Sequence, residues 1–517
     1  MPLQLPGFVQ ALLNPAIYPD PVDKVELVQT QTSFVFLAGP YVYKVKKPVN
    51  LGYLDFSTLE KRHFFCNQEL VLNRRLCTRA YLALVPITRD NSRVTLDGDG
   101  EVIDYAVKMA RLPQESMLDY LLEHDMVSPE MVDSLASKIA DFHAVAATGP
   151  AISAFGKFEI ISLNVKENLD QTEKYFSATI TSNRFKRIQT YTLETLRQKA
   201  GLFAERVASD KIRDCHGDLH CQHICFRDDI CIIDCIDFND RFRYIDVAAD
   251  IAFLAMDLDH FGRADLSRRF ISTYIELSQD RQIRELLKFY KCYRACVRGK
   301  VSSSEFDDPY ISIEEREKTR DTALTYFELA ESYARERPLL LITVGLVGSG
   351  KSTVSRVLAR RLGLTVLSSD VTRKQLAGVP LTERHFAEIE SGIYAPEFSR
   401  RTYELLLSEA KEILAQGDSV ILDASFIHAD ERLKAQKLAQ ELAADFFVLE
   451  CTLDAENTRR RLTQRLKNGT VSDGRWEIYG PQKQKFEPVA EVAAGHHFVI
   501  NTALPIAEQL TGIIDNI

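Results

Sequence analysis

Two domains of different class are expected from this sequence. An α+β domain, in which a strand-rich lobe precedes a helical one, is followed by an α/β domain with a parallel sheet flanked by helices. Three observations predict this. The chain has 517 residues, more than one hydrophobic core usually serves. Its first hundred or so residues carry short β-prone runs, and long stretches of helical periodicity come after them. From Leu339 an apolar run meets a loop of the form G-x-x-x-x-G-K-S, and a helical pattern comes next. The break falls at Pro338, which gives domains 1–337 and 338–517. The first divides again into a small lobe over 20–112 and a helical lobe over 113–337.

Composition sets limits. Hydrophobic content of 45% and charged content of 26% are those of an ordinary globular chain. The net charge of −9 argues against broad non-specific nucleic-acid binding. Met1 to Pro6 lacks a basic region followed by an apolar core, and no apolar run approaches membrane-spanning length, so a cytoplasmic location away from membranes is expected. Among the ten cysteines, Cys215, Cys221, Cys225, Cys231 and Cys235 lie close together with His216, His220 and His223. A zinc site is one reading, but no C-x-x-C knuckle exists here, and free cysteine behaves as a small buried hydrophobe. A disulfide framework is not expected in a large cytosolic chain.

In order, Lys24–Gln29, Ser33–Leu37 and Tyr41–Lys47 read as strands, with a tight turn at Ala38-Gly39-Pro40. A helix over Ser57–Leu76 is next, with Ser57 as cap and Glu60 at the capping-box spacing. Ala83–Ile87 and Val102–Met109 are strands separated by a turn at Asp97–Gly100. Helical periodicity runs over Met117–Val145 and Asn164–Val207. Strand signals return over Cys215–Cys235, and helices fill Ala248 to about Tyr333, interrupted by a loop at Ser302–Pro309. A charged helix over Ile313–Arg337 ends the domain.

The firmest chemistry lies in the Gly-rich loop. Gly345, Gly348 and Gly350 let backbone N–H groups curl around phosphate oxygens with no Cβ in the way. The residues that cradle the anion are Gly345, Leu346, Val347, Gly348, Ser349, Gly350, Lys351, Ser352 and Thr353. The helix N-terminus adds its partial positive charge. Lys351 reaches the β- and γ-phosphates, and the Ser352 hydroxyl ligates Mg²⁺. A nucleoside triphosphate is the implied ligand. Leu364–Lys374 then contains Asp370 and Arg373 at D-x-x-R spacing, and Ser419–Phe426 is an apolar strand ending in Asp423, a second Mg²⁺ ligand. Arg459, Arg460, Arg461 and Arg465 crowd one helix. A solvated face is the common fate of such a run, but arginine forks closing over a transferred phosphate are the functional reading, with Arg461 as the candidate.

Asp370 and Arg373 carry a resemblance to small P-loop kinases such as polynucleotide 5′-kinase, zeta-toxin kinases and gluconate-kinase-like proteins. That resemblance implies that Asp370 activates an acceptor hydroxyl and that Arg373 binds the substrate or the transferring phosphate. Upstream, His216-Gly217-Asp218-Leu219-His220 and Ile236-Asp237-Phe238 resemble the aminoglycoside/choline phosphotransferase family, whose fold is the two-lobed one of protein kinases. The resemblance spans most of residues 24–300. It implies that Asp218 accepts the substrate hydroxyl proton, that Asp237 holds Mg²⁺, and that Lys44 pairs with the ATP phosphates and with Glu69. Lys46 projects from the same face as Lys44, so the choice between them stays open. Lys108–Ala110 would be the hinge beside adenine. Either Asp246 or Asp250 would anchor the catalytic loop, with a helix N-cap the other reading for Asp246.

The sequence departs from this family twice. His223 stands where the family carries its metal-binding Asn, and the Gln29–Ser33 turn has no glycine to cover phosphates. An ATP- and Mg²⁺-dependent enzyme with two phosphotransfer sites acting on small-molecule hydroxyls is the leading expectation. A ligand-sensing N-terminal pseudokinase that regulates the P-loop site is the second. A C-terminal kinase of nucleic-acid 5′-hydroxyls is the third.

Overall fold

The computed structural model describes residues 5–91, 93–307, 312–381, 391–467 and 473–517. The chain divides into two compact units, Met1–Asp257 with Leu266–Ala330, and Leu258–Asp265 with Glu331–Ile517.

The first unit opens on an antiparallel sheet of six strands: β1 (Val25–Gln29), β2 (Ser33–Ala38), β3 (Tyr41–Lys46), β4 (Tyr81–Asp90), β5 (Arg93–Leu96) and β6 (Glu101–Ala110). Their spatial order is β1-β2-β3-β6-β4-β5. Alternation along β3 separates core from site. Tyr43 and Val45 enter the core that holds Phe34, Phe36 and Ile87, whereas Val42 packs in a second cluster around Cys66 and Leu70. Lys44 and Lys46 therefore share the Val42 face. β5 is not expected from the sequence, because Arg93-Val-Thr-Leu96 is short and half polar. It pairs with β4 as a hairpin, so the chain turns back before Asp97–Gly100 rather than only there.

The Leu59–Asn73 helix crosses the Val42 face. Thr58, not Ser57, is its cap, the Thr58 hydroxyl accepting from Lys61 N at 3.3 Å, while Ser57 donates its own N–H to Asp55. Arg62, Cys66, Glu69 and Asn73 are all buried and recur at spacings of four, three and four, one helical stripe. Helices make up most of the rest of this unit, with four short strands among them: β7 (Ile212–Asp214), β8 (Ile224–Arg227), β9 (Asp229–Ile232) and β10 (Tyr244–Asp246). The Ile283–Phe306 helix runs through Ser302–Glu305, which the sequence reads as loop. Ser302 and Ser303 are buried there, and Ser303 Oγ is satisfied by Gly299 O at 2.7 Å. Asp308 and Pro309 of that expected loop lie outside the described residues.

Two carboxylates and one arginine lock this helical part. The Arg206 side chain, fully buried, donates to Asp246 at 2.7 Å and to Asp280 at 3.0 and 3.1 Å. Arg206→Met would leave both carboxylates buried without their fork. A loss of about 3–5 kcal/mol is expected, read as a lower urea midpoint at unchanged slope.

Contrary to the expectation from cysteine usage, Cys77 and Cys231 form a disulfide with Cα atoms 4.8 Å apart. They are 154 residues apart in sequence, so only the docking of β9 beside the end of the Leu59–Asn73 helix brings them together. Cys215, Cys221, Cys225 and Cys235 are buried thiols.

The second unit is a five-stranded parallel sheet: β11 (Leu339–Val344), β12 (Thr365–Ser368), β13 (Val420–Asp423), β14 (Asp445–Thr452) and β15 (His497–Asn501), in the order β12-β13-β11-β14-β15. Every residue of β11 is buried, as expected of a central strand covered on both faces. Even-numbered Leu340, Ile342 and Val344 face one core and odd-numbered Leu339 and Leu341 the other. The chain order reverses at β11, and the crevice beyond its carboxyl end is where such sheets bind ligands. Among the described residues, no helix is long and apolar enough to cross a membrane.

Candidate active sites

In the first unit, β7 leads into His216-Gly217-Asp218, and β10 pairs with it antiparallel. The loop is held from below by Asp250, whose carboxylate accepts from His216 N at 3.0 Å and Gly217 N at 2.8 Å. Asp250 is thus the anchor, and Asp246 is the N-cap acceptor for Ala248 N at 2.8 Å as well as the Arg206 partner. Gly217 has φ +86°, and a Cβ there would meet Phe242 O at 2.7 Å, so only glycine fits. His223, which precedes β8, places Nδ1 2.9 Å from Asp218 O.

The two lysines of β3 both reach Glu69, Lys44 at 3.0 Å and Lys46 at 2.8 Å. Their second partners differ. Lys46 pairs with Asp237 at 2.6 Å, and Lys44 pairs with Asp234 at 2.6 Å. Asp234, just past the end of β9, is in a left-handed conformation, φ +62°, with its N–H on the Tyr81 hydroxyl at 3.0 Å. Its carboxylate lies 3.7 Å from His223 Nε2. Glu69 joins the two pairs into one network, in which Asp234 lies beside His223 and Asp237, tied to Lys46, is 8% exposed. Burial pushes the Asp237 carboxyl up to about 6. Burial also opposes ionisation of Asp218, but the His220 and His223 rings and Arg298 outweigh it and hold that carboxyl below its ordinary range. The Gln29–Ser33 turn closes on itself, Thr30 Oγ1 accepting from Ser33 N at 3.0 Å.

In the second unit the loop after β11 has Gly345, Gly348 and Gly350 at φ +145°, +77° and +94°. A Cβ on Gly345 would sit 2.5 Å from Cys451 O and 2.8 Å from Ser349 Oγ, within the cradle itself. Ser349 Oγ is buried and has no hydrogen-bond partner among the described residues. Lys351 Nζ donates to Gly345 O at 3.1 Å and Leu346 O at 2.9 Å. Ser352 and Lys351 both face Asp423 at the end of β13, and Asp370 adds its charge. Burial lowers the Lys351 ammonium and raises the Asp423 carboxyl, each against the attraction of the other. An anion-shaped cradle, an orphaned hydroxyl and a hydroxyl–carboxylate pair fit a triphosphate with a hard cation on Ser352 and Asp423. Leu346 lies within this loop, Thr353 in the first turn of the Lys351–Leu362 helix, and Val347 N donates to Gln482 Oε1 at 2.8 Å.

The profile of the phosphotransferase enzyme family matches residues 74–287, and that of an AAA domain matches residues 340–489. The chain joins a phosphotransferase-family domain to a P-loop kinase domain. An uncharacterized protein of Mycobacterium tuberculosis (strain ATCC 25618 / H37Rv) is 29% identical over 456 residues, 88% of each chain. A shikimate kinase of Paramagnetospirillum magneticum is 30% identical over 174 residues, 32% of this chain and 87% of the kinase. Among solved structures, a choline/ethanolamine kinase family protein from Mesorhizobium loti shares 14% identity over 69% of this chain and all of that one, at a TM-score of 0.39. The chain is a phosphotransferase of kinase type, with ATP the nucleotide implied.

Within the P-loop kinase domain, Arg373 is 7% exposed and donates to Ile393 O at 2.6 Å and Ser399 Oγ at 3.1 Å, its Nε having no partner among the described residues. Arg461 is placed behind the cradle. It donates to Thr502 Oγ1 at 2.9 Å, and that hydroxyl donates to Ser349 O at 2.7 Å. Arg465 is the helix residue whose charge bears on Lys351. Arg432 is locked to Glu491 and Phe426 O.

In the phosphotransferase-family domain, Asp234 is the residue that the sequence motifs miss. A signal is present: Asp234 directly follows the apolar run Ile230–Ile233, as a strand-end carboxylate should, but the motif three residues later points to Asp237 instead. His216 and His220 are also pushed down to about 4 by burial, from an ordinary value of 6.5. Between those values the unfolded chain binds more protons than the folded one, so stability falls as pH drops from about 6.5 to about 4. Asp250, held down to about 2, adds a loss only below the ordinary carboxylate range. Asp237 and Glu431, held up to about 6 and about 7 by burial, work in the opposite sense, so the histidine contribution is read as a difference: across pH 4–7, His220→Asn should lose less stability towards acid than the wild type.

Proposed function

We propose that this chain carries two phosphotransfer sites, each moving the γ-phosphoryl group of ATP to a hydroxyl acceptor, with residues 1–337 and 338–517 serving one site each. The observation that carries the reading is the meeting of the glycine cradle, Lys351, Ser352, Asp423 and Asp370 at the carboxyl edge of the parallel sheet. ATP with a divalent cation supplies, when bound, the transferable group. Gly345 to Thr353 hold the phosphates, Lys351 offsets charge on the outer ones, and Ser352 with Asp423 hold Mg²⁺. Asp370, in the first turn of the Ser369–Ala377 helix, takes the acceptor proton, and Arg373 fixes the acceptor's position. Arg461 stiffens the cradle through Thr502.

At the N-terminal site Asp218 is the base, ionised at neutral pH and 34% exposed along its side chain, so an acceptor can reach it. Glu69 holds Lys44 for the phosphates, and Asp234, rather than Asp237, stands beside His223. One of the two donors here is an imidazole in place of the oxygen ligand that Mg²⁺ prefers, so no step is assigned to Mg²⁺ at this site. A pocket in the same unit is lined by Phe155, Phe242, Tyr290, Tyr293, Arg241 and Arg294.

Label transfer from γ-labelled ATP into a pool of small hydroxylated metabolites tests the reading. Asp218→Asn and Asp370→Asn should each remove a different labelled product. A product pattern unchanged by both would sink it. The self-closed Thr30 turn and His223 favour a second reading, in which the N-terminal domain senses a ligand. In that case Asp218→Asn alters the regulation of the P-loop site and removes no product.

A further inference from the structure

His223 occupies the catalytic-loop position where an amide oxygen would serve a hard cation, and its surroundings orient it as a ligand. Asp218 O can only accept, so the 2.9 Å contact puts the ring proton on Nδ1 and leaves the lone pair on Nε2. Metal-bound imidazoles are held in this way, with the far N–H on a backbone carbonyl. Nε2 faces the Asp234 carboxylate at 3.7 Å, too far for a hydrogen bond. A cation at about 2.1 Å from one nitrogen and one oxygen spans such a gap. The strained backbone of Asp234 and its N–H bond to Tyr81 hold the carboxylate at that place. Lys44 is the cation there now, and Glu69 is ready to keep it when it is displaced.

A second imidazole fixes the plane of the first. His220, 2% exposed, stacks on His223 with ring centroids 3.8 Å apart, and its Nε2 lies 3.5 Å from Asp218 Oδ2, so both rings are held against the same loop.

We propose that His223 Nε2 and the Asp234 carboxylate form a binding site for a first-row transition-metal dication, which the N-terminal site takes in preference to Mg²⁺. Imidazole raises affinity for such ions, whereas Mg²⁺ demands oxygen and keeps its water. The remaining positions on the metal are left for water or phosphate oxygens. The inference rests on the phosphotransfer reading only for that last point, and binding measured without nucleotide tests the cation site by itself.

The experiment is titration of the untagged full chain with Co²⁺, followed by its visible absorption, beside calorimetric titration with Mg²⁺. Imidazole ligation gives cobalt bands that aqueous Co²⁺ lacks. His223→Asn is expected to weaken Co²⁺ at least about tenfold while Mg²⁺ binding holds or improves, so that the affinity ratio moves towards Mg²⁺. Asp234→Asn should weaken both ions. An affinity ratio unchanged by His223→Asn overturns the proposal, as does Co²⁺ binding retained in both variants, which would place the ion elsewhere, at Ser352 with Asp423 or at the buried His143, Cys215 and Asp250 group. Loss of labelled product with Co²⁺ binding intact would count against the phosphotransfer reading and leave the cation site standing.

Discussion

Lys351→Ala in the full chain is expected to lower phosphoryl transfer at the P-loop site by on the order of 10³-fold, the upper range for removing one preorganised charge donor. The effect should fall on kcat as well as KM, because in the proposed reading the ammonium offsets negative charge that builds on the outer phosphates. Its hydrogen-bond partners among the described residues are Gly345 O and Leu346 O. Burial already works against its charge, so deletion costs the fold little, and the thermal midpoint should move by no more than a few degrees. Steady-state kinetics with the product of the Asp370-dependent reaction give the test. Turnover unchanged by Lys351→Ala would remove the P-loop from the chemistry altogether.

Asp218→Asn is expected to lower transfer at the N-terminal site by about 10²- to 10⁴-fold, the range for losing a positioned general base. The amide keeps the shape, and the loop stays anchored because Asp250, not Asp218, holds the His216 and Gly217 amides. Asp250→Asn is the informative contrast. It should lower activity together with stability, since it weakens the acceptor for two buried backbone N–H groups and for His143 at 3.1 Å. A pH-rate profile for the wild type should show no fall in the acid limb until well below the ordinary carboxylate range on account of Asp218 itself. A fall between about pH 6.5 and 4 reports the buried histidines together with Asp237, which is held up to about 6, and His220→Asn separates the two because only the histidine contribution changes.

Much of the fold is legible because its signals are local. The six buried residues of β11, the loop glycines and the helix after them are consecutive in sequence, and their spacing carries both fold and chemistry. β1 to β3 alternate clearly enough to place Lys44 and Lys46 on one face. β5 escapes notice because four half-polar residues give too short a period, and Ser302–Glu305 reads as loop because serine runs are intrinsically loop-forming. Burial against Gly299 and neighbouring helices overrides that preference.

The sequence by itself determined the glycine loop, the order of the two domains and the carboxylates proposed as bases, since each depends on neighbours a few positions apart. The tertiary structure decided which charges meet. Lys44 takes Asp234 and Lys46 takes Asp237, pairs separated by about 190 residues, so one carboxylate is left facing His223 and the other is neutralised in the interior. The same holds for Asp250 over Asp246 as the loop anchor, for the Cys77–Cys231 disulfide, and for Arg461 behind the cradle instead of over it. Side-chain pairing acts through space over a few ångströms, and sequence spacing carries no information about contacts that only the packing of separate elements creates.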